Sequence, residues 1–216
     1  MGFSPRDQIA LDAHVVQAGV DGSGRISTFN LALSQARKLM GRDKTTGLLD
    51  PGVQAPPSLW GGTILYLVLL EQIGKTLRPL YGRPARGREQ RLETAIRQFA
   101  RGAATKKDRQ ALYGLRCAFA HEFGLVNQRP GPYQRVFRLH PSGLRRMVIP
   151  PQRTWNGKMT TASKSTATRV DLRQVADLVE KVVDGVRLSA QRGELRSRLK
   201  MADLKKQFSV VIEDEP

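Results

Sequence analysis

Apolar residues recur at helical spacing through most of the first 123 positions, at alternating spacing over a short stretch after that, and at helical spacing again toward the end. Ser4-Pro5-Arg6-Asp7 predicts a helix start, with Ser as N-cap, Pro at the first helical position and an acid in the first turn. Ile9, Ala13, Val16 and Val20 are its expected inward stripe. Asp21-Gly22-Ser23-Gly24 breaks the chain. A second helix points Phe29, Leu33, Ala36 and Met40 inward and stops at Gly41. After a loop over 42–57, Ser58 caps a third helix from about Leu59 to Arg78. Its centre, Ile64 to Leu70, is apolar on every side, as for a helix in the middle of a bundle. Tyr81 to Gly87 reads as a basic turn. A fourth helix from about Arg88 to Arg101 carries Leu92, Ala95, Ile96 and Phe99 on one face and ends at Gly102. Thr105 and Asp108 then form a capping box for a fifth helix that runs to about Phe123.

Beyond Gly124 the pattern changes. Tyr133, Phe137 and Leu139 alternate, Pro141-Ser142-Gly143 is a turn, and Leu144 to Ile149 is a second β-like run. Together they predict a hairpin insert over about 133–150. Residues 151–169, rich in Thr and Ser, read as a polar loop. The last long helix starts near Asp171 and buries Val175, Val179, Val182 and Val186. The expected fold is mainly α: a helical bundle over 1–186 with a small β-hairpin insert before the last long helix, then a basic C-terminal helix or tail over 187–216.

Charge narrows the partners. The chain has 36 Lys and Arg against 19 Asp and Glu, a net +17 over 216 residues, which favours nucleic acid first and acidic lipid second. One cysteine, Cys117, excludes a disulfide scaffold and structural zinc on cysteines, and three histidines argue against a zinc enzyme site. No apolar run approaches the ~20 residues of a membrane span, and Met1 to Ala10 has no apolar signal region. A cytoplasmic protein with no membrane partner and no cofactor is expected.

The fifth helix carries the chemistry. On a wheel turning about 100° per residue from Leu112, the residues Leu115, Phe119, Phe123 and Val126 form the core stripe. Arg116 lies at about 40°, on its border, and His121 at about 180°, opposite the core. Ala120, Tyr113, Gly124 and Cys117 lie between, in a nearly flat sector that could admit another helix or a ligand. Leu115-Arg116-Cys117-Ala118-Phe119-Ala120-His121, followed by Glu122-Phe123-Gly124-Leu125-Val126-Asn127, resembles the HEPN superfamily (higher eukaryotes and prokaryotes nucleotide-binding). Ribonuclease members of that superfamily carry Arg-x(4–6)-His late in a helical bundle. The residue after the Arg is usually polar there; here it is Cys117.

The resemblance implies an HEPN-like bundle and a metal-independent endoribonuclease that leaves 2′,3′-cyclic phosphate and 5′-hydroxyl ends. It also implies a homodimer through the motif helix, a role as toxin or defence effector, and an antitoxin or defence-complex partner. His121 would be acid and base, Arg116 the phosphate clamp, and Tyr113 and Cys117 supporting residues. The chemistry fits the residue types. Histidine exchanges protons near neutrality, and two from two chains would supply both base and acid. Arginine stays charged and bonds phosphate through parallel N–H groups. Lys106, Lys107 and Arg109 open the same helix, where anions are favoured, and are the expected RNA contacts, about 20 Å along the axis from His121. Two other readings remain beside this one: a non-catalytic HEPN-like module that binds RNA or a nucleotide or scaffolds a complex, and a basic DNA-binding regulator.

Overall fold

The computed structural model describes residues 5–16, 25–53, 56, 58–81, 89–122 and 124–211. Of these, 51% are helical, and the strands form three small sheets, so the chain is mainly α. In chain order the elements are α1 (Pro5–Val16), β1 (Arg25–Ser27), α2 (Thr28–Leu39), α3 (Leu59–Thr76), β2 (Leu77–Pro79), α4 (Arg91–Phe99) and α5 (Lys106–Glu122). Then come β3 (Val126–Asn127), β4 (Arg135–His140), β5 (Val148–Ile149), β6 (Ala167–Asp171), α6 (Leu172–Gln191), β7 (Leu195–Ser197), α7 (Met201–Phe208) and β8 (Ser209–Val211).

The helix α3 is the hub, packed against α2, α4, α5 and α6. Its Tyr66, Leu67, Leu69, Leu70 and Ile73 are fully buried. One strip stays open: Val68 is 42% exposed, and Ile64 and Leu65 are half-buried beside it. The neighbours sit close because two helix glycines present no side chain. A Cβ on Gly74 of α3 would run into the Arg91 carbonyl, and one on Gly185 of α6 into that of Phe99, so both ends of α4 are pinned by backbone contact.

Local signals set most helix limits. Ser27 accepts from the Phe29 N–H and starts α2, Ser58 accepts from the Gly61 N–H and starts α3, and Asp171 accepts from the Gln174 N–H and starts α6. The Thr105 hydroxyl accepts from the Asp108 N–H while Asp108 accepts from the Thr105 N–H, at 3.2 and 2.9 Å, which closes the box ahead of α5. Phe29, Leu33, Ala36 and Met40 are buried, as are Val175, Val179, Val182 and Val186.

Three expectations are corrected. On α1 Leu11, His14 and Val15 are buried while Ile9, expected inward, is 70% exposed; the side chains of Ala13 and Val16 lie outside the described residues. The 133–150 segment is not a hairpin. The sheet order is β3-β4-β6-β5, with β6 parallel to β4 and antiparallel to β5. The inserted strand comes from the end of the Thr-rich stretch read as loop, where Ala167, Thr168 and Val170 are buried; threonine is β-branched and suits a strand as well as a loop. Finally, the C-terminal segment returns to the body: β7 pairs with β2 and β8 with β1, and Leu195 and Leu204 are fully buried. The expected features at Ser4, Val20, Asp21 to Gly24, Gly82 to Gly87 and Phe123 lie outside the described residues. No helix among the described residues is long and apolar enough to cross a membrane.

Candidate nucleic-acid interface

The helix α5 is a buried rod with a wet start. Leu112, Leu115, Ala118 and Phe119 fill the core, and the Phe119 ring lies 4.2 Å from that of Trp60 on α3. Arg116, on the border of this stripe, pairs its Nε with the Glu71 carboxylate of α3. Glu71 is the first charge after the apolar run of α3, so α3 delivers an acid to the motif arginine one turn beyond the exposed Val68. His121 lies on the last turn of α5, with its side chain outside the described residues; Ala120 beside it is exposed.

The sector between Arg116 and His121 is not open along its length. Cys117 is 4% exposed. At Gly114 a Cβ would press on the Tyr133 carbonyl at 2.7 Å. Tyr133 is seated there by the buried Asn127, whose side-chain amide donates to that carbonyl at 3.0 Å. Its ring meets Tyr113 edge-on, with centroids 4.7 Å apart. The tyrosine therefore covers the part of α5 that was expected to face a ligand. Burial, and then the neighbouring Cys117 with its hydrogen bond, push the Tyr113 phenol up to about 12, so it stays protonated near neutral pH.

From Tyr133 the contacts lead to a cleft of about 440 Å³ lined by Glu89, Glu93, Arg97, Lys106, Arg109 and Tyr133. The Tyr133 hydroxyl donates to Glu93 Oε1 at 2.8 Å. Glu93 is 3% exposed, and this burial raises its carboxyl above the ordinary range even though Tyr133 and the Gln90 backbone bond to it. Glu89 holds Arg97 through two hydrogen bonds of 2.9 Å. Arg109 donates to the Ala104 carbonyl at 2.9 Å, and Lys106 is exposed at the rim.

Of the residues expected to act, the structure brings Lys106 and Arg109 together on this cleft. Lys107, one step round the helix, is exposed and not part of the lining. Tyr113 connects the cleft to the motif through Tyr133. Sequence reasoning missed Glu71, Glu93, Arg97 and Tyr133. Glu71 alone had a local signal, as the acid ending an apolar helix centre; the others reach the site from separate elements. Among the described residues, no group of three or more His, Cys, Asp or Glu could hold a metal ion. No family model, curated protein or solved structure matches the chain.

Proposed function

We propose that this chain is an RNA-cleaving protein of HEPN type, working without a metal through Arg116 and His121 as a homodimer. The observation that carries the reading is the placement of Arg116: on a continuous core helix, at the border of the buried stripe, with its guanidinium oriented by Glu71 and His121 five residues on. That arrangement holds the cation in place before a phosphate arrives, which lowers the cost of ordering it on binding. The open strip of α3 supports the dimer. Ile64, Leu65 and Val68 expose apolar surface next to the Glu71–Arg116 pair, where a second motif helix would have to approach. Lys106 and Arg109 on the cleft supply cations for the flanking strand.

In this reading one His121 takes the 2′-hydroxyl proton, its twin protonates the leaving 5′-oxygen, and Arg116 balances charge on the phosphorane. The products are a 2′,3′-cyclic phosphate and a 5′-hydroxyl. The test is cleavage of RNA in EDTA, with the ends identified. Replacing His121 by Ala should lower the rate by ~10²–10⁴ while the thermal midpoint holds.

A second reading, RNA binding without cleavage, is favoured by the buried Cys117 where a polar residue is usual, and by the carboxylate already sitting on Arg116. Wild-type protein that binds RNA and leaves it intact under every condition supports that reading and ends the first.

A further inference from the structure

The paired strands β2 and β7 bring arginines together. They pair antiparallel with Arg78 directly opposite Arg196, while Leu77 and Leu195 are buried beneath. Residues directly opposite share a face, and like charges in such a pair repel. Just past β7 the Arg198 N–H continues the ladder to the Thr76 carbonyl at 2.7 Å. Its side chain is held by the Leu77 carbonyl at 3.0 Å. Its Nη2 also reaches Gln98 Oε1 of α4 at 3.4 Å, so arginines of β2, α4 and the end of β7 meet here; burial first, then the charges of Arg91, Arg78 and Arg97, depress the Arg198 guanidinium. Arg97 is answered by Glu89. Among the described residues Arg78, Arg91 and Arg198 pair with no carboxylate.

Beside this cluster stands Tyr81, three residues after Arg78 and 82% exposed. The Leu80 N–H donates to the Glu194 carbonyl at 2.6 Å, so the phenol projects from the point where the paired strand ends. Guanidiniums that follow a backbone, with an exposed ring for a base to stack on, are the requirements for binding a single strand. A duplex keeps its bases stacked inside and leaves Tyr81 without a partner. Arg97 also lines the cleft at the start of α5, where Lys106 and Arg109 stand beside Glu89 and Glu93.

We propose that the face formed by β2, β7 and α4 docks single-stranded RNA, with Arg78, Arg91 and Arg198 on its phosphates and Tyr81 stacked on a base. That the strand is RNA rests on the reading above; the docking surface stands on separate residues.

The experiment is fluorescence anisotropy with the full chain and a labelled 2′-O-methyl oligonucleotide, which lacks the hydroxyl that cleavage needs. Arg78, Arg91 and Tyr81 are exposed, so their replacement leaves the core intact, and thermal midpoints check this. The Arg78→Gln/Arg91→Gln pair should weaken binding ~10-fold or more and lower the slope of log affinity against log salt by ~1.4, from ~0.7 per lost phosphate contact. Tyr81→Ala should cost ~10-fold and Tyr81→Phe almost nothing, since the ring remains. A charge-matched control, Arg145→Gln/Arg146→Gln in the exposed stretch between β4 and β5, should change affinity far less. Equal losses in both arginine pairs overturn the proposal. So does duplex binding tighter than the single strand with no effect of Tyr81→Ala. Binding of phosphatidylserine–phosphatidylcholine vesicles with the same residue dependence, and of no oligonucleotide, overturns it in favour of a membrane. Loss of binding in these variants together with an inert wild type removes the nuclease and keeps the surface; His121-dependent cleavage with binding indifferent to them does the reverse.

Discussion

Two groups of arginines in this molecule have opposite surroundings. Arg37 is buried and fully answered: its Nε and Nη2 donate to the two oxygens of Glu180 at 3.0 and 2.6 Å, and its Nη1 donates to the Lys44 and Thr45 carbonyls. Tyr66 of α3 donates to the same Glu180 at 2.6 Å. Arg42 pairs with Asp177 and donates to the Gly47 carbonyl, so the 42–50 loop is tied down on α6. Burial works against the charge of Arg37, and Glu180 outweighs it, leaving the guanidinium held above its ordinary range. On the β2–β7–α4 face the guanidiniums of Arg78, Arg91 and Arg198 pair with no carboxylate among the described residues. Among the described residues, charge is thus matched by carboxylates at Arg37 and Arg42 and not at Arg78, Arg91 and Arg198. The proposed docking of a single strand rests on that second group.

The largest effect should come from breaking the matched side. Glu180→Ala strands the Arg37 charge in the core and removes the acceptor for Tyr66. Removing one partner of a buried pair costs ~3–5 kcal/mol, which for a chain of this size is a drop of ~10 °C in thermal midpoint. Oligonucleotide affinity, measured where the variant is still folded, should not move. A loss under ~1 kcal/mol would mean that the knot is ornamental, and the contrast between the two groups would collapse.

A buried base that finds no acid behaves differently again. His14 has Ser27 Oγ at 3.5 Å and no carboxylate partner among the described residues, and burial, then the Lys205 charge, push it from 6.5 down to about 4. The unfolded chain keeps the higher value, so as pH falls the unfolded state takes up its proton first. The contribution is therefore present above about pH 6.5 and lost progressively toward pH 4, by at most about 3 kcal/mol. Urea midpoints at about pH 7 and about pH 4.5 measure it. A His14→Gln chain should lose less on acidification than wild type; equal losses would show that His14 is not the group responsible.

Much of the helical frame was legible because its signals are local. Ser58, the Thr105–Asp108 box, Asp171 and the valine stripe of α6 each act within a few residues. The strands were not, since their partners are remote: β8 pairs with β1 from the other end of the chain, and β6 enters between two segments that looked like a hairpin. The site divides the same way. Arg116 could be placed on the border of a core stripe from spacing alone, and it is there. Glu71 beside it, and Tyr133 over Gly114, depend on how α3 and the β3–β4 region pack on α5, which no periodicity encodes. Tyr81 carries no pattern at all; only its exposure beside Arg78 gives it meaning.

The smallest effect tests the unmatched side. Arg91 is exposed and close enough to bear on Arg198, so it contributes repulsion to the folded state. Arg91→Gln should therefore raise the thermal midpoint by ~1–2 °C at low salt, the scale of a single exposed charge interaction. The gain should vanish near 1 M salt, where the screening length falls to ~3 Å. Saturating 2′-O-methyl oligonucleotide should reverse the ranking, because wild type then gains more from the bound phosphates than the variant does. A midpoint that falls in Arg91→Gln at low salt would mean that Arg91 makes an attractive contact in the folded chain. The face would then be matched internally, as the Arg37–Glu180 pair is, and the proposed docking surface would lose the feature it is argued from.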